Sequence, residues 1–294
     1  MRYFHPKRYY RLIKEALRSF FLYYLLPDRW YLQLKYRQVH GEKLNLKKPQ
    51  TIDEKLQWIK LYDRKPIYHT MIDKIAAKKW IEEQIGTDEY TIPLLGQWES
   101  FDEIDFEGLP KQFVLKCNHD SASWILVRDK YQLDVERARE RLTNALRCNY
   151  YRGENKQWGY DTIKPMILAE EYLTEDKFEY QVFCNNGDPQ FILVRSDLGD
   201  AKGGFNVCYD LDWKRLDYRV DRYEVSLLPP PYLLDLIRIA KILSRNTLHL
   251  RVDFYGMKEN FRIGELTFYS NGGDFHNFSE EGKRALSKAL TLPI

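Results

Sequence analysis

RVDFYGMKENFRIGELTFYSNGG, residues 251–273, decides how this chain is read. It contains the end of LHLRVDFYG (248–256) and all of FRIGELTFY (261–269), two runs rich in β-branched and aromatic residues. Such runs read as strands, and the turn-like residues GMKEN between them make a hairpin. Asp253 and Glu265 then face each other on one side of a sheet. Two carboxylates held that close repel unless something positive lies between them. Mg²⁺ suits the position, because it takes carboxylate oxygens and usually carries substrate phosphates. Arg251 stands two residues before Asp253 and shares its face. Its fork of donors can neutralise an anionic intermediate beside a metal, or simply pair with Asp253. Read alone, the two acids fit a solvated surface hairpin equally well, so the rest of the chain has to decide.

Upstream, QFVLK (112–116) is an apolar strand that ends in Lys116 and runs into the small polar loop Asn118–Ser123. A lysine beside such a loop, with free backbone N–H groups, can hold phosphate oxygens. The alternative is a lysine that snorkels into water. WILVRD (124–129) is a second strand, and a charged helix follows over 134–148. MILAEEYL (166–173) ends in Glu170-Glu171-Tyr172-Leu173, where exposed backbone can read a purine edge and an acid can take an amino group or a ribose hydroxyl. FEYQVFCNNGDPQFILVRSD (178–197) is a hairpin that carries Glu179 and turns at Asn186-Gly187. YLLDLIRIAKILSRN (232–246) is an amphipathic helix. Before all of these, TIDEKLQWIKLYD (51–63) is a capped helix with Thr51 at its N-cap and Glu54 three residues on. MIDKIAAKKWIEEQIG (71–86) reads as one further helix, followed by the strand-like TIPLLG (91–96) and the acidic connector FDEIDFEGLP (101–110).

The whole chain narrows the class. Its 294 residues suffice for a large core with two or three subdomains. A formal charge of +3 lacks the basic bias of a nucleic-acid protein, so no nucleic acid is expected as partner. Cys117, Cys148, Cys184 and Cys208 form no CxxC pair, which reads as a reduced, cytoplasmic protein. No secretory signal is read at the N-terminus, and no apolar run reaches the roughly 20 residues of a membrane span. There is no P-loop, GxGxxG, HExxH or GxSxG motif. Residues 1–40 stand apart, with nine Lys and Arg against Glu15 and Asp28 and with many interleaved aromatics. A basic amphipathic helix is expected over 7–26, stopping before Pro27. Its composition suits the anionic inner face of the cytoplasmic membrane, or packing on its own domain or a partner.

In this order the segments resemble an ATP-grasp ligase, and in wording they are similar to the TupA-like ATP-grasp family of cell-surface polysaccharide loci. DKIAAK, FVLK, AEEYL, EYQV and the pair RVD with ELT carry the resemblance, which spans roughly residues 25–280. It implies an α+β fold with the nucleotide site between two subdomains, preceded by the basic N-terminal helix. The expected division is 1–50, 51–110, 111–173 (a lid) and 174–294 (the Mg²⁺-binding part). It implies ATP and Mg²⁺ as cofactors. Lys78, Lys116, Ser121 and Ser123 would hold phosphates, Glu170, Glu171 and Leu173 would hold adenine, and Glu179 the ribose. Asp253, Glu265 and Thr267 would hold the metal, and Arg251 with Lys116 would act in catalysis. The implied reaction activates a carboxylate as an acyl phosphate, which an amine then attacks, on a sugar-containing or lipid-linked substrate. Three departures are expected to lower ATP affinity: NHDSAS replaces a glycine-rich loop and brings in Asp120, Thr267 stands where Asn is usual, and Gln181 where Lys is common. A glycosyltransferase of the same pathway and a scaffold with a degenerate ATP site are the alternatives.

Overall fold

The computed structural model describes residues 21–153, 156–173, 178–196, 204–221 and 223–294. The expected helix over 7–26 therefore lies mostly outside the described residues. Within them, Phe21–Leu25 is one π-helical turn, and α1 (Asp28–His40) begins immediately after Pro27. Tyr31, Leu32 and Tyr36 of α1 bury with Leu44 and Leu46 in a small cluster of their own.

Two antiparallel sheets organise the rest. The smaller has the order β1 (Leu94–Trp98), β4 (Ile167–Glu171), β2 (Phe113–Cys117), β3 (Ile125–Val127). In β2 the side chains alternate, as a sheet with one covered face requires. Phe113, Leu115 and Cys117 face a core shared with Leu142 of α5 (Val135–Leu146). Lys116 is left on the opposite face.

The larger sheet has the order β10 (Phe261–Thr267), β9 (His249–Gly256), β5 (Phe178–Asn185), β6 (Asp188–Ser196), β7 (Phe205–Tyr209), β8 (Arg215–Leu216). The β5–β6 hairpin turns at Asn186 and Gly187, both at positive φ (51° and 83°), as a two-residue turn of this hand demands. At the far edge, Ile263 donates to Tyr90 O (2.7 Å), so the segment before β1 covers β10.

α2 (Ile52–Tyr62), α3 (Ile67–Ile72), α4 (Ala76–Ile85), α6 (Leu233–Leu243) and α7 (Glu280–Ala289) bury apolar side chains in one core cluster with this sheet. The capping box of α2 is present: Thr51 Oγ1 accepts from Glu54 N, and Glu54 Oε2 accepts from Thr51 N, each at 3.2 Å. From α2, Lys60 donates to Gly272 O (2.5 Å) and Gln57 Nε2 to Gly273 O (2.8 Å). These bonds anchor the turn that follows β10. Burial lowers the Lys60 ammonium from its usual range to about 7.

The single helix expected over 71–86 is two, α3 and α4, separated by Asp73-Lys74-Ile75. Asp73 ends α3 with extended backbone and caps α4, accepting from Ile75 N at 2.9 Å and Ala76 N at 3.4 Å. Periodicity alone runs smoothly through this break. A capping acid inside an apolar pattern was the available signal.

Candidate active site

β9 and β10 place the opening pair of acids as the sequence implies. Glu265 is the cross-strand partner of Asp253, and Gln181 of β5 is the partner on the other side. The register depends on a bulge at Gly264. Without it Glu265 would oppose Val252 and turn to the core face, because side chains alternate. A Cβ at Gly264 would meet the Tyr255 ring at 2.6 Å, so the bulge requires glycine.

Arg251 grips Asp253 with two parallel bonds, Nε to Oδ1 at 2.6 Å and a terminal nitrogen to Oδ2 at 2.5 Å. The same guanidinium reaches Thr267 Oγ1 (3.2 Å) and comes within 3.6 Å of Glu265. Thr267 in turn donates to Glu265 Oε1 at 3.2 Å. Asp253 is fully enclosed, and burial pushes its carboxyl well above the usual range despite the Arg251 fork, with Glu179 and Glu265 adding repulsion. Glu265 opens to the cleft with a third of its side chain exposed. Burial works to raise its pKa, but Lys74, Arg251 and Lys116 hold it below the ordinary carboxylate range. Two carboxylates and a hydroxyl on one face form a hard oxygen set, which fits Mg²⁺.

Across the cleft, the smaller sheet contributes Lys116 and Glu170, which share a face because their strands pair. Glu170 is buried and bridges two lysines, Oε1 to Lys78 Nζ at 2.8 Å and Oε2 to Lys116 Nζ at 2.5 Å. Its burial favours the neutral acid, yet the two ammoniums hold it below the usual range. Lys78 also donates to Ile92 O (2.6 Å). Both oxygens of Glu170 are thus occupied, so its task here is to position two cations.

The sequence reading missed Lys74. The break after α3 turns its ammonium inward, where it donates to Asp120 O and stands close enough to Glu265 to lower that acid. Asn118 ties the break to the 118–123 loop: its carbonyl accepts from Lys74 N (3.2 Å) and its amide donates to Asp73 Oδ1 (3.0 Å). Lys74, Lys78 and Lys116 therefore converge on one cleft from two helices' ends and one strand.

The loop with Asp120 is closed on itself. Ser123 Oγ donates to Asp120 Oδ1 and accepts from Cys117 N, both at 2.7 Å. Asp120 is buried in that contact, so its charge is held within the loop. Ser121 is exposed and shares a 2.7 Å bond with Tyr150 OH. Among the described residues, the backbone N–H groups of His119, Ser121 and Ala122 have no hydrogen-bond partner, which leaves donors for an anion. Tyr160 packs against Tyr150 with ring centroids 4.6 Å apart, and burial together with the Glu265 charge raises its phenol well above normal.

The remaining expected residues frame the cleft. Glu179 is buried, accepts from Gln181 Nε2 at 2.9 Å and lies 3.6 Å from Arg195. Glu171 is exposed at the end of β4, with its N–H donated to Pro93 O (3.1 Å). Leu173 is half-buried in the coil just beyond.

The profile of the family described as TupA-like ATPgrasp matches residues 54–290. Among solved structures, an L-amino acid ligase from Bacillus licheniformis is similar at 12% identity and a TM-score of 0.51, covering 91% of this chain and 63% of that one. D-Alanine–D-alanine ligases are also similar: that from Helicobacter pylori at 12% identity, TM-score 0.44, with 75% and 59% covered, and that from Bacillus anthracis, complexed with ATP, at 14%, 0.40, 68% and 55%. This chain thus spans 55% to 63% of the length of these ligases. No curated protein matches it. The likeness to the L-amino acid ligase gives the chain the ATP-grasp fold.

Proposed function

The chain belongs to the TupA-like ATP-grasp family, and on that premise we propose that it is an ATP- and Mg²⁺-dependent carboxylate–amine ligase. Its product is an amide on a uronic acid or an amino sugar during assembly of a surface polysaccharide. The observation that carries this reading is the cleft itself, with Asp253 and Glu265 on one wall and Lys74, Lys78 and Lys116 on the other.

The residues divide the work. Asp253, Glu265 and Thr267 would hold Mg²⁺, which when bound would supply positive charge beside the transferring phosphoryl group. Lys74, Lys78 and Lys116 neutralise the triphosphate, with the free N–H groups of the 119–122 loop beside them. The backbone after β4 takes the adenine edge, and Glu179 a ribose hydroxyl. The substrate carboxylate attacks the γ-phosphorus, the bond to the β-phosphate oxygen breaks, and ADP leaves. The amine then adds to the acyl phosphate carbonyl, and Arg251 faces the oxyanion that forms before phosphate departs. Phosphoryl transfer of this kind needs positioning and charge compensation, and no covalent nucleophile.

The test is ADP release with Mg²⁺ across a panel of uronic acids, amino sugars and amines. Release that requires both a carboxylate and an amine is expected. UDP release from a UDP-sugar without ATP would instead identify a glycosyltransferase, and absence of ATP binding at about millimolar levels a scaffold.

The N-terminal segment is proposed to rest on anionic membrane at the inner face. Support comes from the exposed Phe21, Tyr24, Leu25, Trp30 and Leu34, set among Arg29, Lys35 and Arg37. No helix among the described residues is long and apolar enough to cross a membrane. Deleting residues 1–26 should abolish sedimentation with anionic liposomes; undiminished sedimentation refutes the proposal.

A further inference from the structure

Three side chains from distant parts of the chain converge beside the turn that follows β10: His40 at the C-terminus of α1, Asp53 in the first turn of α2, and Asp274. One ligand atom of each lies within 4.8 Å of the other two. We propose that these residues form a Zn²⁺ site, separate from the nucleotide cleft.

Asp53 carries the argument. It is 5% exposed, and only one of its oxygens is engaged, Oδ1 accepting from Phe275 N at 2.7 Å. Its second oxygen has no hydrogen-bond partner among the described residues. Two carboxylates this close, one of them largely buried, are stabilised by a cation between them. Two protein cations act on Asp53, and neither fills the position. Lys283 lies beyond ion-pair distance of Asp53 and reaches Glu280 instead, at 3.4 Å. The His40 ring stacks on Tyr36 at 4.1 Å, and its nitrogens make no ion pair with either acid. The three groups are therefore too far apart to bond one another, yet close enough to close on a shared ion.

The donor set selects the metal. Mg²⁺ and Ca²⁺ favour all-oxygen sites, whereas one imidazole with two carboxylates suits Zn²⁺, with water as fourth ligand. Asp274 and His40 are half-buried, so the ion has a path from solvent. Asp274 Oδ1 also accepts from His276 N at 3.0 Å and lies 3.4 Å from His276 Nδ1. That contact leaves the other oxygen of Asp274 for the metal. The site would tie α1 to the turn that follows the Glu265 strand.

The experiment measures Zn²⁺ binding to the full chain in saturating Mg²⁺–ADP, with Co²⁺ as the spectroscopic probe. One tight Zn²⁺ per chain is expected, retained in Glu265→Gln and weakened at least about tenfold in His40→Ala and in Asp274→Asn, since even outer-shell changes cost that much. His40→Cys keeps a metal-binding atom and should restore binding, with a thiolate charge-transfer band in the Co²⁺ form. That rescue separates loss of a ligand from loss of the fold. Zn²⁺ lost in Glu265→Gln but kept in His40→Ala would overturn the proposal, as would absence of tight binding in the unmodified protein.

Discussion

Replacing the paired acids, Asp253→Asn with Glu265→Gln, should abolish the Mg²⁺ dependence of ATP binding and lower ADP release by about 10³-fold or more. The magnitude follows from charge: a factor of 10³ in rate is about 4 kcal/mol at 1.36 kcal/mol per decade, a plausible cost for removing both carboxylates that fix a catalytic cation. The variant also leaves the largely buried Arg251 guanidinium without either of the acids it pairs with, so a lower Tm is expected and ATP binding is read below it. Titration of ATP with and without Mg²⁺ provides the measurement. Equal Mg²⁺ enhancement in the variant and the parent would remove these acids from the metal site. Glu265→Gln alone is the gentler companion, because its side chain is a third exposed.

Lys116→Met should lower both stability and ATP affinity, and the two losses are separable. Removing Lys116 leaves Glu170, 3% exposed, with Lys78 as its remaining cation. Breaking a buried pair costs about 3–5 kcal/mol, and the remaining lysine places this case near the lower end. For a chain of this size that is a fall in Tm of roughly 6–12 °C. Adding Glu170→Gln to Lys116→Met removes the uncompensated charge, so the double variant should regain most of the lost Tm. It should not regain ATP affinity, because the phosphate-facing cation is still absent. Recovery of both would make Lys116 a structural residue only.

Much of the site was legible locally. The capping box at Thr51 and Glu54, the turn at Asn186-Gly187 and the strands around Asp253 and Glu265 are short-range features, fixed by backbone preference and side-chain alternation. Other elements gave too little signal. β8 has two residues and so no readable period. The helix break at Asp73 was hidden because apolar spacing continues across it, and Lys74 was passed over with it. The Asp120 charge, expected to oppose phosphate, is bonded to Ser123 within its own loop, a contact that residue order does not reveal.

The sequence by itself determined the family, the ATP-grasp order of its segments and the residue types available for the chemistry, because each rests on patterns within a few residues. Only the tertiary structure decided which of them meet. It set Glu265 opposite Asp253 through the bulge at Gly264, joined Lys78 and Lys116 through Glu170, and brought Lys74 to the same cleft from the break between two helices. The physical reason is that charge acts through space. The state of each of these groups depends on partners up to a hundred and ninety-one residues away, as with Lys74 and Glu265, and on the burial that only packing supplies.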